Sequence, residues 1–133
     1  LVLTEGVIPY LTTEDVAALA NDLASRPAVR NWVVDYFSPD TYKYRKHVAI
    51  KQLKHAPFRF WPADFSGFFA EHGWKAAEAR YLVDEGERLG RPMRLPFFLT
   101  LAFGLKAVLT PRAKRGNPRT FAGFVLMEPV RVA

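Results

Sequence analysis

The chain has 133 residues, half of them hydrophobic and 14% aromatic, with a formal net charge of +6. That length suits one domain, and the apolar fraction is ample for a core, which excludes a disordered chain. Cysteine is absent, so disulfides and thiolate metal sites are excluded, and a cytoplasmic setting is expected. No signal peptide is expected, because Glu5 and Pro9 interrupt the first apolar stretch and no basic region precedes it. The longest apolar stretch, residues 95–109, is shorter than the ~20 residues of a membrane span and contains Lys106.

Residues 1–4 predict a short buried strand, as if the chain were entered in mid-fold. The spacing predicts a helix over 12–25. Thr12 can cap it, Asp15 sits in the third helical position, and Leu11 and Val16 have the spacing of a hydrophobic staple. Val16, Leu19, Ala20 and Leu23 then form one apolar stripe. Residues 31–37, dense in β-branched and aromatic types, predict a second strand.

A helix is expected over 41–54, with Lys43, His47, Lys51 and Lys54 along one side, followed by a linker at 57–62. Phe65, Phe68, Phe69 and His72 mark a helix over 63–72, and Gly73 has the place of a left-handed terminating residue. A third strand is expected over 74–83, a charged loop over 84–94, an apolar helix opened by Pro96 and running to about 109, a basic turn over 111–118 and a last strand over 119–128. Strand and helix alternate, so the fold class is α/β with an open sheet.

The segment Thr4-Glu5-Gly6-Val7-Ile8-Pro9-Tyr10-Leu11, with the capped helix that follows it, is the most informative. It resembles the fourth strand and turn of the leucine carboxyl methyltransferase-like family of S-adenosylmethionine-dependent methyltransferases. Val34-Asp35-Tyr36-Phe37 looks like that family's fifth strand. Phe68-Phe69-Ala70-Glu71-His72-Gly73-Trp74 looks like its helix-to-strand segment, and residues 85–91 look like a variant of the loop after its sixth strand. The resemblance covers roughly residues 4–91.

The resemblance implies the C-terminal half of a Rossmann-like class I methyltransferase sheet. Such a half is mixed, with a reversed last strand inserted beside the fifth and helices on both faces. Residues 1–133 would then form a single partial domain. The family's glycine-rich first motif and its ribose-binding acidic residue are not in this sequence, so the cofactor-binding N-terminal half is expected to be missing and this part to be inactive alone.

The implied cofactor is S-adenosylmethionine. In open α/β sheets the ligand sits outside the carboxyl ends of the strands. Glu5 would contact the cofactor's methionine portion there, accepting from its ammonium group and offsetting its sulfonium charge. Tyr10 would wall the pocket, and Asp35 and Tyr36 would face the methyl acceptor, a small molecule or a peptide. O-methyl or carboxyl methyl transfer is expected. A carboxylate acceptor needs no base, whereas a hydroxyl acceptor would benefit from one, with Asp35 as the nearest candidate.

No metal is implied, since His47, His55 and His72 lack ligand spacing. Nucleic acid is disfavoured, because no base-stacking motif or recognition helix accompanies the basic residues. The alternative is a non-catalytic α/β binding module that presents Lys43, His47, Lys51 and Lys54, or Arg112, Lys114, Arg115 and Arg119, to an anionic partner. A strand left without its neighbour would also be an exposed edge, through which the chain is expected to oligomerise.

Overall fold

Four strands in one sheet organise the described residues. The computed structural model describes residues 1–39, 41, 57–92 and 117–130. Strand β1 (Val2–Thr4) leads through a 3-10 turn (Ile8–Tyr10) into helix α1 (Thr13–Ala24) and strand β2 (Trp32–Phe37). Helix α2 (Phe65–Glu71), strand β3 (Trp74–Tyr81) and helix α3 (Leu82–Arg88) follow; a second 3-10 turn (Pro118–Thr120) precedes strand β4 (Ala122–Pro129). The sheet order is β1-β2-β4-β3. β1 and β2 are parallel, and β4 lies antiparallel between β2 and β3. The expectation of one mixed sheet with the last strand reversed is met.

Local chemistry accounts for the elements. Thr12 Oγ1 accepts from the Asp15 amide while the Asp15 carboxylate accepts from Thr12, a complete capping box at the start of α1. Asp64 caps α2 by accepting from the Gly67 amide at 2.9 Å. Gly73 sits at φ +83°, so the chain leaves α2 and enters β3 through a left-handed residue.

The core lies on one sheet face. Trp32, Val34, Val125 and Met127 supply it from β2 and β4, Val16, Ala20 and Leu23 from α1, and Phe69 from α2, with Trp74 at the start of β3. Trp32 packs edge-on against both Phe69 and Trp74, with ring centroids 5.4 Å apart in each pair. Both buried indoles are satisfied: Trp32 Nε1 donates to Thr4 Oγ1 at 3.0 Å, and Trp74 Nε1 donates to the Ala20 carbonyl at 2.9 Å.

Several sequence expectations are corrected. β1 is buried on one face only: Val2 packs against the core, whereas Leu1 and Leu3 are 81% and 59% exposed, because alternate side chains of a strand point to opposite faces; among the described residues β1 pairs with β2 alone. The stretch read as a charged loop opens with α3, and the third strand stops at Tyr81. Charged pairing holds that helix, with Arg88 on Glu85 at 2.5 Å, and with Arg119 reaching back from before β4 to Asp84 at 2.7 Å and Glu87 at 2.6 Å. Helices α1 and α2 both pack on the core face of the sheet. The helices expected over 41–54 and 96–109 fall outside the described residues. Among the described residues, no helix is long and apolar enough to cross a membrane.

Candidate active site

β1, β2 and β3 run in one direction, and their carboxyl ends meet the start of the reversed β4 along one rim of the sheet. A cleft of about 280 Å³ opens there. Glu5 and Gly6 enter it from the end of β1, Asp35 and Phe37 from β2, Leu82 from the end of β3, and Gly123 from β4. Tyr10 and Phe58 also line it. This is where an open α/β sheet receives a ligand.

Asp35 is the unusual group. It is 6% exposed. Its Oδ2 accepts from the Gly6 amide at 2.8 Å, but Oδ1 is buried and has no hydrogen-bond partner among the described residues. Burial pushes the Asp35 carboxyl above the ordinary carboxylate range. Hydrogen bonds from the Gly6 amide and from its own amide oppose that shift, and the negative charge of Glu5 adds to it. Gly6 adopts φ +65°, the left-handed region open to glycine, in the same turn that aims its amide at Asp35.

A raised native pKa has a definite consequence for stability. The folded chain holds the Asp35 proton more tightly than the unfolded one, so the contribution of this group to stability is greatest at acid pH and is lost as pH rises through the raised value. Asp35→Asn removes the buried charge and is expected to stabilise the chain at pH 7 by on the order of 1 kcal/mol. The gain should shrink as pH falls through the carboxylate range. Urea titrations of both proteins across pH 4–8 would check this; a destabilised variant at pH 7 would contradict it.

Aromatic rings form one wall. Tyr10 meets Phe58 edge-on at 4.9 Å, and Phe58 meets Phe37 at 5.4 Å. The Pro9 carbonyl holds this wall by accepting from the Arg59 amide at 2.6 Å and the Phe60 amide at 3.2 Å. The segment read as a linker is therefore part of the cleft. No periodicity marks Phe58; the clustering of Phe58, Phe60 and Trp61 between prolines was its only signal.

Of the residues expected at the site, Glu5, Tyr10 and Asp35 come together. Tyr36 does not line the cleft. It packs against Phe65 at 5.1 Å and Tyr81 at 6.2 Å, on the core face. Successive strand residues point to opposite faces, so Asp35 and Tyr36 cannot share one. The basic-face residues Lys43, His47, Lys51, Lys54, Arg112, Lys114 and Arg115 lie outside the described residues, and Arg119 is engaged with Asp84 and Glu87. Among the described residues, no cluster of His, Asp and Glu could hold a metal ion. His72 packs on Phe68 with ring centroids 4.8 Å apart and bonds to Asn21.

The donor set bears on the cofactor that the resemblance implies. Glu5 is exposed at the cleft and Asp35 also lines it, so the lining carries carboxylates. That fits the cationic methionine end of S-adenosylmethionine. The described residues offer no glycine-rich turn for the nucleotide end: Gly86 lies within α3 and Gly90 just beyond it.

The chain matches no protein-family model, no curated protein and no solved structure.

Proposed function

We propose that this chain is the C-terminal half of an S-adenosylmethionine-dependent methyltransferase domain, acting on a small-molecule or peptide acceptor in the cytoplasm. One observation carries the reading: the sheet order β1-β2-β4-β3 sets a reversed last strand beside β2, with Glu5 and Asp35 at the carboxyl-end rim. In this reading, β1 to β4 are the fourth, fifth, sixth and last strands of a Rossmann-like class I sheet.

The work divides among the chain's own groups. The bound cofactor supplies an electrophilic methyl group on a sulfonium. Glu5 binds its ammonium group and offsets its charge. Tyr10 and Phe58 exclude water from the cleft. Asp35 faces the acceptor, whether the transfer is to a hydroxyl or to a carboxylate. Alignment of acceptor oxygen and methyl group supplies the rate. The free edge of β1 is the place for the neighbouring strand of the cofactor-binding half, or for a second copy of the chain.

Calorimetry tests the reading. The chain alone is expected to bind S-adenosylmethionine weakly or not at all, since the turn that approaches the phosphate or ribose end of a nucleotide in such folds is glycine-rich. Joined to a glycine-rich class I half, it should bind. Micromolar binding by the chain alone would contradict the proposal.

A further inference from the structure

We infer that Asp35 is a positioning residue: through the Gly6 amide it fixes the turn that presents Glu5 to the ligand, and its carboxylate takes no proton from the acceptor. The ligand rests on the methyltransferase reading; the route from Asp35 to Glu5 rests on the turn itself.

Glu5, Gly6 and Val7 are all exposed, so burial does not fix their conformation. The stretch is anchored at its two ends. Before it, Trp32 Nε1 donates to Thr4 Oγ1 in β1. After it, Ile8 and Pro9 are buried, and the Pro9 carbonyl accepts from the Arg59 and Phe60 amides. Between these anchors, among the described residues, one bond ties the stretch to another element. The Gly6 amide donates to Asp35 Oδ2 at 2.8 Å, across 29 positions of sequence. A glycine takes either sign of φ about as readily, so an outside bond is what selects the +65° seen here.

The acceptor is well fixed. Asp35 is buried within β2, which pairs with β1 on one side and β4 on the other. An ionised acceptor also makes the stronger class of hydrogen bond to a backbone amide. The same geometry takes Asp35 out of proton transfer. A general base must come within about 2.6–3.2 Å of the group it deprotonates, directly or through one water. Oδ2 is engaged with Gly6, and Oδ1 has no exposed surface, so it is closed to an acceptor in the cleft. Glu5 and Gly6 both line that cleft, and Asp35 acts on its ligand through them.

Two substitutions separate holding from charge. Asp35→Asn keeps an acceptor oxygen and loses the charge; Asp35→Ala loses both. In the protein carrying the glycine-rich half, calorimetry should show Asp35→Ala weakening S-adenosylmethionine binding about tenfold, and Asp35→Asn changing it by about twofold at most. In a Glu5→Ala background, Asp35→Ala should cost almost nothing further, because its route runs through Glu5. Asn falling as far as Ala would overturn the inference, and so would a full Asp35→Ala loss in the Glu5→Ala background. The Asn comparison stands even where the Ala variant does not fold. Amide hydrogen exchange on the chain alone reads the turn without cofactor. Gly6 should lose protection about tenfold in Asp35→Ala and keep it in Asp35→Asn, with Ala20 in α1 and Val125 in β4 unchanged. Equal Gly6 protection in all three proteins would overturn the inference whatever the cofactor does. Its failure is therefore separable from that of the methyltransferase reading, which binding by the unmodified protein decides.

Discussion

Trp32→Ala is expected to lower the unfolding free energy by about 3–5 kcal/mol, the range for removing a large buried aromatic. Trp32 is fully buried at the middle of the core. It touches Phe69 from α2 and Trp74 from β3, and its indole nitrogen reaches Thr4 on β1. Its loss therefore loosens three elements together and leaves a void in the core. Total stabilities of domains run to about 5–15 kcal/mol, so a large share is removed, and Tm should fall by roughly 12–20 °C. Trp32→Phe keeps most of the ring and forfeits the bond to Thr4; about 1 kcal/mol is expected for that. Urea denaturation of both variants checks the pair. Equal losses would mean that the hydrogen bond, rather than ring packing, dominates.

The second large effect concerns Glu5. In the protein carrying the glycine-rich half, Glu5→Ala should weaken S-adenosylmethionine binding by about 1.5–3 kcal/mol, as for a hydrogen bond to a charged group. Glu5 sits on the exposed turn after β1, so the substitution leaves the core intact and fold stability should barely change. Calorimetry beside a thermal melt separates the two effects. An unchanged affinity removes Glu5 from the site; a collapsed melt would show that it had a structural part.

What the sequence made legible follows from how local each cause is. The cap at Thr12, the apolar stripe of α1 and the left-handed Gly73 all act within a few residues, and each is present in the structure. The reversed last strand beside β2 was expected only from the resemblance, since strand pairing is a long-range property. Helix α3 was missed because it buries no residue and is held in part by Arg119, over thirty positions further along the chain; no apolar period could announce it. Tyr36 was placed beside Asp35 in the cleft because the two adjoin in sequence, whereas the period of a strand separates them. Phe58 joined the cleft unannounced, since its position depends on backbone bonds from residues 59 and 60 to Pro9.

Amide NMR of the protein carrying both halves, titrated with S-adenosylmethionine, addresses the central claim most directly. The turn after β1 and the end of β2 should respond first, with the Gly6 amide shifting because its bond to Asp35 lies at the floor of the cleft. Saturable shifts at Gly6, Tyr10 and Asp35 are the predicted result. Shifts confined to the charged hollow around Arg80, Glu85 and Arg88, or no shifts at all, would contradict it.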